Sequence, residues 1–320
     1  MSVQQKAPVE PRTPAQMVPR RGRRSSQAIR WSRHTLQAVV VVTIGYFVWA
    51  KAVGQPGATS AESFCPFGGF ETMFTWITTG HTVSHVHTSN LALAGIVVVL
   101  ALAARGAFCG WLCPLGTIQE AMNAIGTAVA NRIPPLRKAR RRIGADGTFL
   151  AKVDHIARYG KYVVLVWAVG GAAITGVMVI RAYDPWSALL GIVEFELTTG
   201  FVILVVMLVM ALFIERPFCR YACPLGAVIG LVGKASPVAV ERNADACLGC
   251  DICNKACPMR IPINQRTRVT DAACNGCLEC VAACPSKDAL SVTVALPMPA
   301  VRPRTHTPTA AAQTPEGAVR

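Results

Sequence analysis

Two four-cysteine runs constrain this chain more than any other feature: Cys247-x2-Cys250-x2-Cys253-x3-Cys257-Pro258, and its repetition as Cys274-x2-Cys277-x2-Cys280-x3-Cys284-Pro285. Three closely spaced thiolates on one tight loop wrap one [4Fe–4S] cubane, while the fourth, opening a separate segment, reaches its neighbour. The spacing therefore assigns Cys247, Cys250, Cys253 and Cys284 to one cluster, and Cys274, Cys277, Cys280 and Cys257 to the second. Gly249 and Gly276 let the backbone approach the cubane closely, and Pro258 and Pro285 redirect the chain after the crossing ligand. Zinc also takes four thiolates, but from two separated pairs; three evenly spaced cysteines followed by Cys-Pro, twice over, favour clusters. Neither ligand set leaves an obvious open position, which points to one-electron transfer and not to chemistry on a substrate. Residues 241–292 are thus expected to form an α+β bacterial-type 2[4Fe–4S] ferredoxin domain.

The rest of the 320 residues reads differently. Half the chain is apolar, only 15% is charged and the mean hydropathy is positive, which departs from an average soluble protein. Four apolar runs, at about 34–53, 91–108, 161–180 and 200–215, predict a mainly α membrane protein with a four-transmembrane-helix bundle over 34–235. The second and fourth runs are short for the usual span of ~20 residues and need their flanks. The formal charge of +15 raises the question of a nucleic-acid partner. The basic residues answer it by position: Arg20, Arg21, Arg23, Arg24, Arg30 and Arg33 precede the first run, and Arg137, Lys138, Arg140, Arg141 and Arg142 lie between the second and third. Segments 54–90 and 182–199 contain neither Lys nor Arg. That asymmetry is the one expected of positive-inside topology, and it argues against nucleic acid. Thirteen cysteines in a secreted chain would suggest disulfides; two tight thiolate runs instead place this end in a reducing cytoplasm.

An internal repeat organises the apolar part. Phe64-Cys65-Pro66 through Thr78-Thr79-Gly80 matches Tyr183-Asp184-Pro185 through Thr198-Thr199-Gly200, and Phe108-Cys109-Gly110-Trp111-Leu112-Cys113-Pro114-Leu115-Gly116 matches Phe218-Cys219-Arg220-Tyr221-Ala222-Cys223-Pro224-Leu225-Gly226. Each copy predicts an outward helix, a loop, an inward helix and a Cys-x3-Cys-Pro terminus. The copies share one orientation, so both termini face the ferredoxin side. The first apolar run ends in Ala50-Lys51-Ala52, a small-x-small pattern resembling a signal-peptide cleavage site; its place in the repeat predicts that it is retained. Residues 1–33, basic and Pro- and Ser-containing, read as a disordered cytoplasmic arm, and 296–320 as a disordered tail.

The remaining cysteines keep several readings open. Cys109 and Cys113, like Cys219 and Cys223, are four residues apart and share a helix face if the helix continues through them, with Pro114 and Pro224 breaking it. The repeat brings all four to equivalent depth, where they form a further metal or cluster site, a redox-active dithiol set or merely buried thiols. Cys65 reads as an isolated structural thiol or a redox or partner-facing one. His81, His85 and His87 read as a polar interfacial loop or as ligands of haem, a metal or a quinone. Trp76, Trp186 and Tyr183 read as an aromatic belt.

With the paired Cys-x3-Cys-Pro ends, the Cys65-Pro66-Phe67-Gly68-Gly69-Phe70-Glu71 loop and the double ferredoxin in place, the sequence over about 34–292 resembles the NapH-type membrane polyferredoxins. The wider group takes in the membrane parts of nitrous-oxide-reductase support proteins and of cytochrome oxidase assembly ferredoxins. The resemblance implies a bacterial inner-membrane protein with four membrane helices, both termini cytoplasmic, and electron transfer between the quinone pool or a cytoplasmic donor and a periplasmic acceptor. Two departures are expected: no segment is large enough for the periplasmic flavin domain of the first group, and none supplies the extra C-terminal domain of the second.

The expected function is a membrane-bound iron–sulfur relay between a quinone pool or cytoplasmic donor and a respiratory or reductive partner protein. The alternatives are an assembly or redox-maintenance factor for a metalloenzyme, and a sensor or anchoring subunit. A stand-alone enzyme is disfavoured, because no nucleophile constellation or nucleotide-binding glycine loop is present. Ligand spacing sets neither potential nor electron direction, since identical ligand sets span hundreds of millivolts.

Overall fold

The computed structural model describes residues 23–55, 66–80, 88–143, 149–191 and 199–295. In chain order its helices are α1 (Arg23–Ala52), α2 (Pro66–Thr79), α3 (Thr88–Ala104), α4 (Pro114–Arg132), α5 (Pro134–Ile143), α6 (Phe149–Ala157), α7 (Gly160–Thr175), α8 (Pro185–Gly191), α9 (Thr199–Ala211), α10 (Pro217–Tyr221), α11 (Pro224–Val232), α12 (Ile252–Lys255) and α13 (Glu279–Ala283). Strands β1 (Val238–Arg242), β2 (Arg268–Val269) and β3 (Leu290–Val294) form one sheet of order β2-β1-β3.

The expected four-transmembrane-helix bundle is corrected. Its apolar runs fall on α1, α3, α7 and α9, but α3, α7 and α9 hold 17, 16 and 13 residues. At ~1.5 Å per residue they fall short of the ~30 Å hydrocarbon layer. The 30-residue α1 is long enough but carries a polar and basic first half, RRSSQAIRWSRH. Among the described residues no helix is long and apolar enough to cross a membrane. Local chemistry stops each short helix: Arg105 takes φ 56 after α3, Gly176 takes φ 70 after α7, and the turn after α9 leads to Arg216 at φ 51. The architecture is a mainly helical molecule with a small sheet. Residues 23–33, expected in a disordered arm, belong to α1; residues 1–22 and 296–320 lie outside the described residues.

The duplication is visible in local geometry. Cys113 caps α4 at φ −69, ψ 113, and Cys223 caps α11 at φ −70, ψ 112. Pro114 and Pro224 follow as the first helical residues, where a fixed φ is favourable and the missing N–H costs nothing. The expectation that one helix continues through each cysteine pair and breaks at proline is thus reversed. Proline starts a new helix, Cys109 sits in a π-helical turn (Phe108–Leu112), and Cys219 sits on α10. Helix α2 packs on α3 and α7, α7 on α11, and α8 on α9. Phe70, Ala94, Val97, Ala101 and Ile229 bury one core between the copies, and Leu115, Ala188, Leu204 and Met207 a second.

In the ferredoxin part β1 pairs antiparallel with both neighbours, placing Val240 opposite Val269 and Val292. Val240, Val269 and Leu290 close a core with Met259, Ile261, Ile263 and Val281, around which Cys253, Cys257, Cys274, Cys280 and Cys284 pack.

Candidate functional site

The structure brings the sequence-derived cysteine sets together as three groups. Burial first, and then Cys247, Cys284 and Cys250, push the Cys253 thiol up to about 11. Burial and then Cys277, Cys257 and Cys274 raise Cys280 above the ordinary thiol range. Burial and then Cys219, Cys109 and Cys113 do the same to Cys223. Cys247, Cys250, Cys253 and Cys284 also line one cavity, together with Gly249 and Pro285. Gly249 takes φ 66 in the loop that lines this cavity, and Gly276 takes φ 63 at the matching place in the second loop. Among the described residues no three His, Cys, Asp or Glu side chains converge closely enough to hold a single metal ion. A cubane does not ask for such convergence, because its irons occupy separate corners and its thiolates stay apart.

Each Cys-x3-Cys-Pro motif also directs helix N-termini at its sulfur. Gly226 N donates to Cys223 Sγ at 3.3 Å, and the N–H groups of Gly116 and Leu115 lower Cys113 against the larger effect of burial. A helix N-terminus favours negative charge, so these caps suit anionic sulfur. Gln119 Nε2 donates to Cys219 Sγ at 3.5 Å.

The second ferredoxin loop rests directly on the π-helical turn that holds Cys109. A Cβ on Gly106 would collide with the backbone of Cys274 and Asn275; one on Gly110 would collide with Asn275 O and meet Cys277 N at 3.0 Å. Trp111 Nε1 donates to Gly276 O at 3.1 Å. Helix α1 clamps the same junction: Gln37 Nε2 donates to Gly110 O at 3.1 Å, and Arg33 Nη1 to Cys277 O at 3.5 Å.

Beneath the junction lies a charge network that sequence reading did not single out. Glu120 accepts from Arg33 Nη2 at 2.9 and 3.0 Å, from Gln37 Nε2 at 3.0 Å and from Arg216 Nε at 3.1 Å. Arg33 and Arg216 are buried, at 6% and 0% exposure. Removing one partner of a buried ion network strands the others and costs about 3–5 kcal/mol. Glu120→Ala is therefore expected to lower unfolding stability by about that amount in denaturant titrations. A loss under ~1 kcal/mol, the ordinary worth of an exposed ion pair, would contradict the network's role.

Beside Cys113 and Cys223 is an apolar cavity of about 310 Å³, lined also by Phe67, Leu93, Val97 and Leu115 among others, with Asp184 as its carboxylate. Burial raises Asp184 to about 6, against N–H bonds from Trp186 and Ser187. Glu71, fully buried on α2 with neither carboxylate oxygen hydrogen-bonded among the described residues, is raised to about 8 by burial and then by Asp184. The folded chain thus keeps the Glu71 proton up to about pH 8, whereas a free carboxyl loses it near 4.5. A folded state that binds more protons loses stability as pH rises across that window. The melting temperature is expected to fall between pH 5 and pH 8.5, and Glu71→Gln to flatten the fall; a Glu71→Gln profile as steep as the parent's would contradict this.

Cys65, His81, His85 and His87 lie outside the described residues. Trp76 and Tyr183 are exposed, and Trp186 lines the apolar cavity. A sequence signal for the missed arginines exists: Arg105 and Arg216 each stand just ahead of a Phe-Cys pair in the two copies.

A family model described as a 4Fe-4S binding domain matches residues 86–141 and 197–242, which carry the two Cys-x3-Cys-Pro motifs, and one described as a 4Fe-4S dicluster domain matches 239–285. YccM of Escherichia coli (strain K12), named for electron transport, is 28% identical over 262 residues, covering 76% of this chain and 69% of that protein. The ferredoxin-type protein NapH of Haemophilus influenzae is 27% identical over 188 residues, 56% of this chain and 59% of its own length. The regulatory protein NosR of Pseudomonas aeruginosa is 29% identical over 168 residues, 50% of this chain and 21% of its own length. The chain thus spans only part of each relative. No solved structure matches it. Cysteine-bearing segments that match two 4Fe-4S families, in a chain with these relatives, support a NapH-type 4Fe-4S ferredoxin-like protein and an iron–sulfur electron-transfer role.

Proposed function

We propose that the chain is an electron conduit with three four-cysteine sites in a row: a [4Fe–4S] site at Cys247, Cys250, Cys253 and Cys284, a second at Cys274, Cys277, Cys280 and Cys257, and a further centre at Cys109, Cys113, Cys219 and Cys223. A bound cubane supplies reversible one-electron transfer. The observation that carries the reading is the seating of the Cys274–Cys277 backbone on Gly106 and Gly110, next to Cys109. At one end Cys250 is exposed, so a partner protein reaches that site from solvent; Cys277, at the junction, is buried. At the other end Cys113 and Cys223 wall the apolar cavity, whose size and lining suit a lipophilic quinone. Exposed apolar side chains on α1, α3, α7 and α9, such as Val42, Val99, Val166 and Val202, support a working place at the bacterial inner membrane. Exposed Arg137 and Lys138 on α5 suit its anionic headgroups.

Replacing Cys280 by Ala tests the conduit. The expected result is that a donor still reduces the Cys247 site while electrons no longer arrive at the Cys109 site. Undiminished electron arrival there would overturn the order proposed.

A further inference from the structure

We propose that Arg105 and Arg216, one in each copy of the repeat, are positioning residues that deliver buried positive charge and N–H donors to two different cysteine sites and thereby set the relative reduction potentials along the conduit. Arg105 serves the Cys274 site and Arg216 the Cys109/Cys113/Cys219/Cys223 site, so the inference rests on the reading above.

Both arginines hold left-handed backbone, φ 56 and φ 51. That conformation is strained for a residue with a Cβ, and glycine avoids the strain. An arginine kept there is kept for its side chain. Both are buried, at 5% and 0% exposure. The Arg105 guanidinium makes one bond, Nη2 to Asp271 O at 3.4 Å, while its Nε and Nη1 have no hydrogen-bond partner among the described residues. The thiol that acts on it is Cys274, whose backbone packs against the adjoining Gly106. Arg216 donates from Nε to Glu120 and from Nη1 to Cys109 O. Its Nη2 lies 3.0 Å from Glu120 Oε1 as an ion pair but is not aligned for a hydrogen bond and has no other partner among the described residues. After Glu120, the groups acting on Arg216 are Cys219, Cys277 and Cys113.

A buried N–H left unpaired is destabilising, and more so on a charged group. Donors of this kind are satisfied by an acceptor absent from the protein itself. The sulfurs of an anionic, thiolate-ligated cluster are such acceptors, and hydrogen bonds and charge at those sulfurs tune its potential. The other charges near these arginines are Arg268 and Asp271 beside Arg105, Glu120, Arg33 and Glu215 around Arg216, and Lys161, 4% exposed, which faces Cys109 and Cys223. Neither arginine is fully neutralised in its N–H bonding. A fixed positive charge favours the state with one more electron, so each arginine raises the potential of its site.

Redox-titrated electron paramagnetic resonance of the purified full chain tests this, with iron and acid-labile sulfide measured on every variant. Arg105→Gln is expected to lower the potential of the Cys274 site and leave the Cys109 site unchanged; Arg216→Gln is expected to lower the Cys109 site most, with a smaller fall at the Cys274 site through Cys277. Each shift should be at least tenfold in the reduction equilibrium, which is 59 mV for one electron. Arg216→Lys, which keeps the charge, is expected to return the potential toward the parent's. Parental potentials in both glutamine variants at parental iron content overturn the inference. Should Arg216→Gln fail to assemble, an unshifted Arg105→Gln overturns it alone. A failure of the conduit reading is separate: it appears as a parent chain with iron for two clusters only, and the Arg105 arm remains readable.

Discussion

A chain carrying serine at both 109 and 219 is expected to lose about four iron atoms, one cubane's worth, while retaining those of the ferredoxin part. Cys109 and Cys219 lie on different copies of the repeat, in the π-helical turn and on α10, yet their thiols act on one another and on Cys113 and Cys223. Replacing one from each copy takes half the ligands from the four-cysteine group and leaves the caps of α4 and α11 in place. The eight cysteines at 247–284 keep their own core of Val240, Met259, Ile261, Ile263, Val269, Val281 and Leu290, so their iron should stay. Iron and sulfide counts on the purified chain give the answer. Unchanged counts would reduce Cys109, Cys113, Cys219 and Cys223 to buried thiols.

The second large effect is expected from one methyl group. Gly110→Ala sets a Cβ against Asn275 O and against Cys277 N at 3.0 Å, and both are backbone atoms that no rotamer change can move aside. The ferredoxin loop must back away from the π-helical turn, breaking the Trp111 bond that holds the two segments. Tunnelling falls steeply with distance, so electron transfer across the junction should slow by at least tenfold, read by rapid-freeze kinetics, with iron content near the parent's. Transfer at the parental rate in a fully loaded Gly110→Ala chain would show that the junction is not the path.

How far the sequence alone carries can be judged from these same residues. The ferredoxin loops were legible, because three thiolates on a short loop plus a distant fourth is a mechanical requirement written directly in the spacing. The duplication was legible too, since Phe-Cys-x3-Cys-Pro-Leu-Gly occurs twice with like surroundings. What the motif did not reveal was the direction of the break. Proline was read as ending a helix, whereas at Pro114 and Pro224 it begins one, and periodicity cannot distinguish these. The lengths of α3 and α9 were overestimated for a related reason: apolar side chains continue to about residues 108 and 215, but the backbone leaves the helix at Arg105 and in the turn ahead of Arg216. Hydropathy counts side chains and not dihedral angles. The Glu120 network and the seating of Cys277 on Gly110 are long-range contacts between segments far apart in the chain, and no local pattern announces them.

Redox-titrated electron paramagnetic resonance of the full chain, before and after the Cys109→Ser/Cys219→Ser double replacement, tests the central claim most directly. The conduit predicts three reducible centres in the parent, with the second ferredoxin signal broadened by a paramagnetic neighbour across the Gly110 junction, and loss of that broadening in the double variant. Two centres in the parent, with line shapes that the double replacement leaves unchanged, would contradict it.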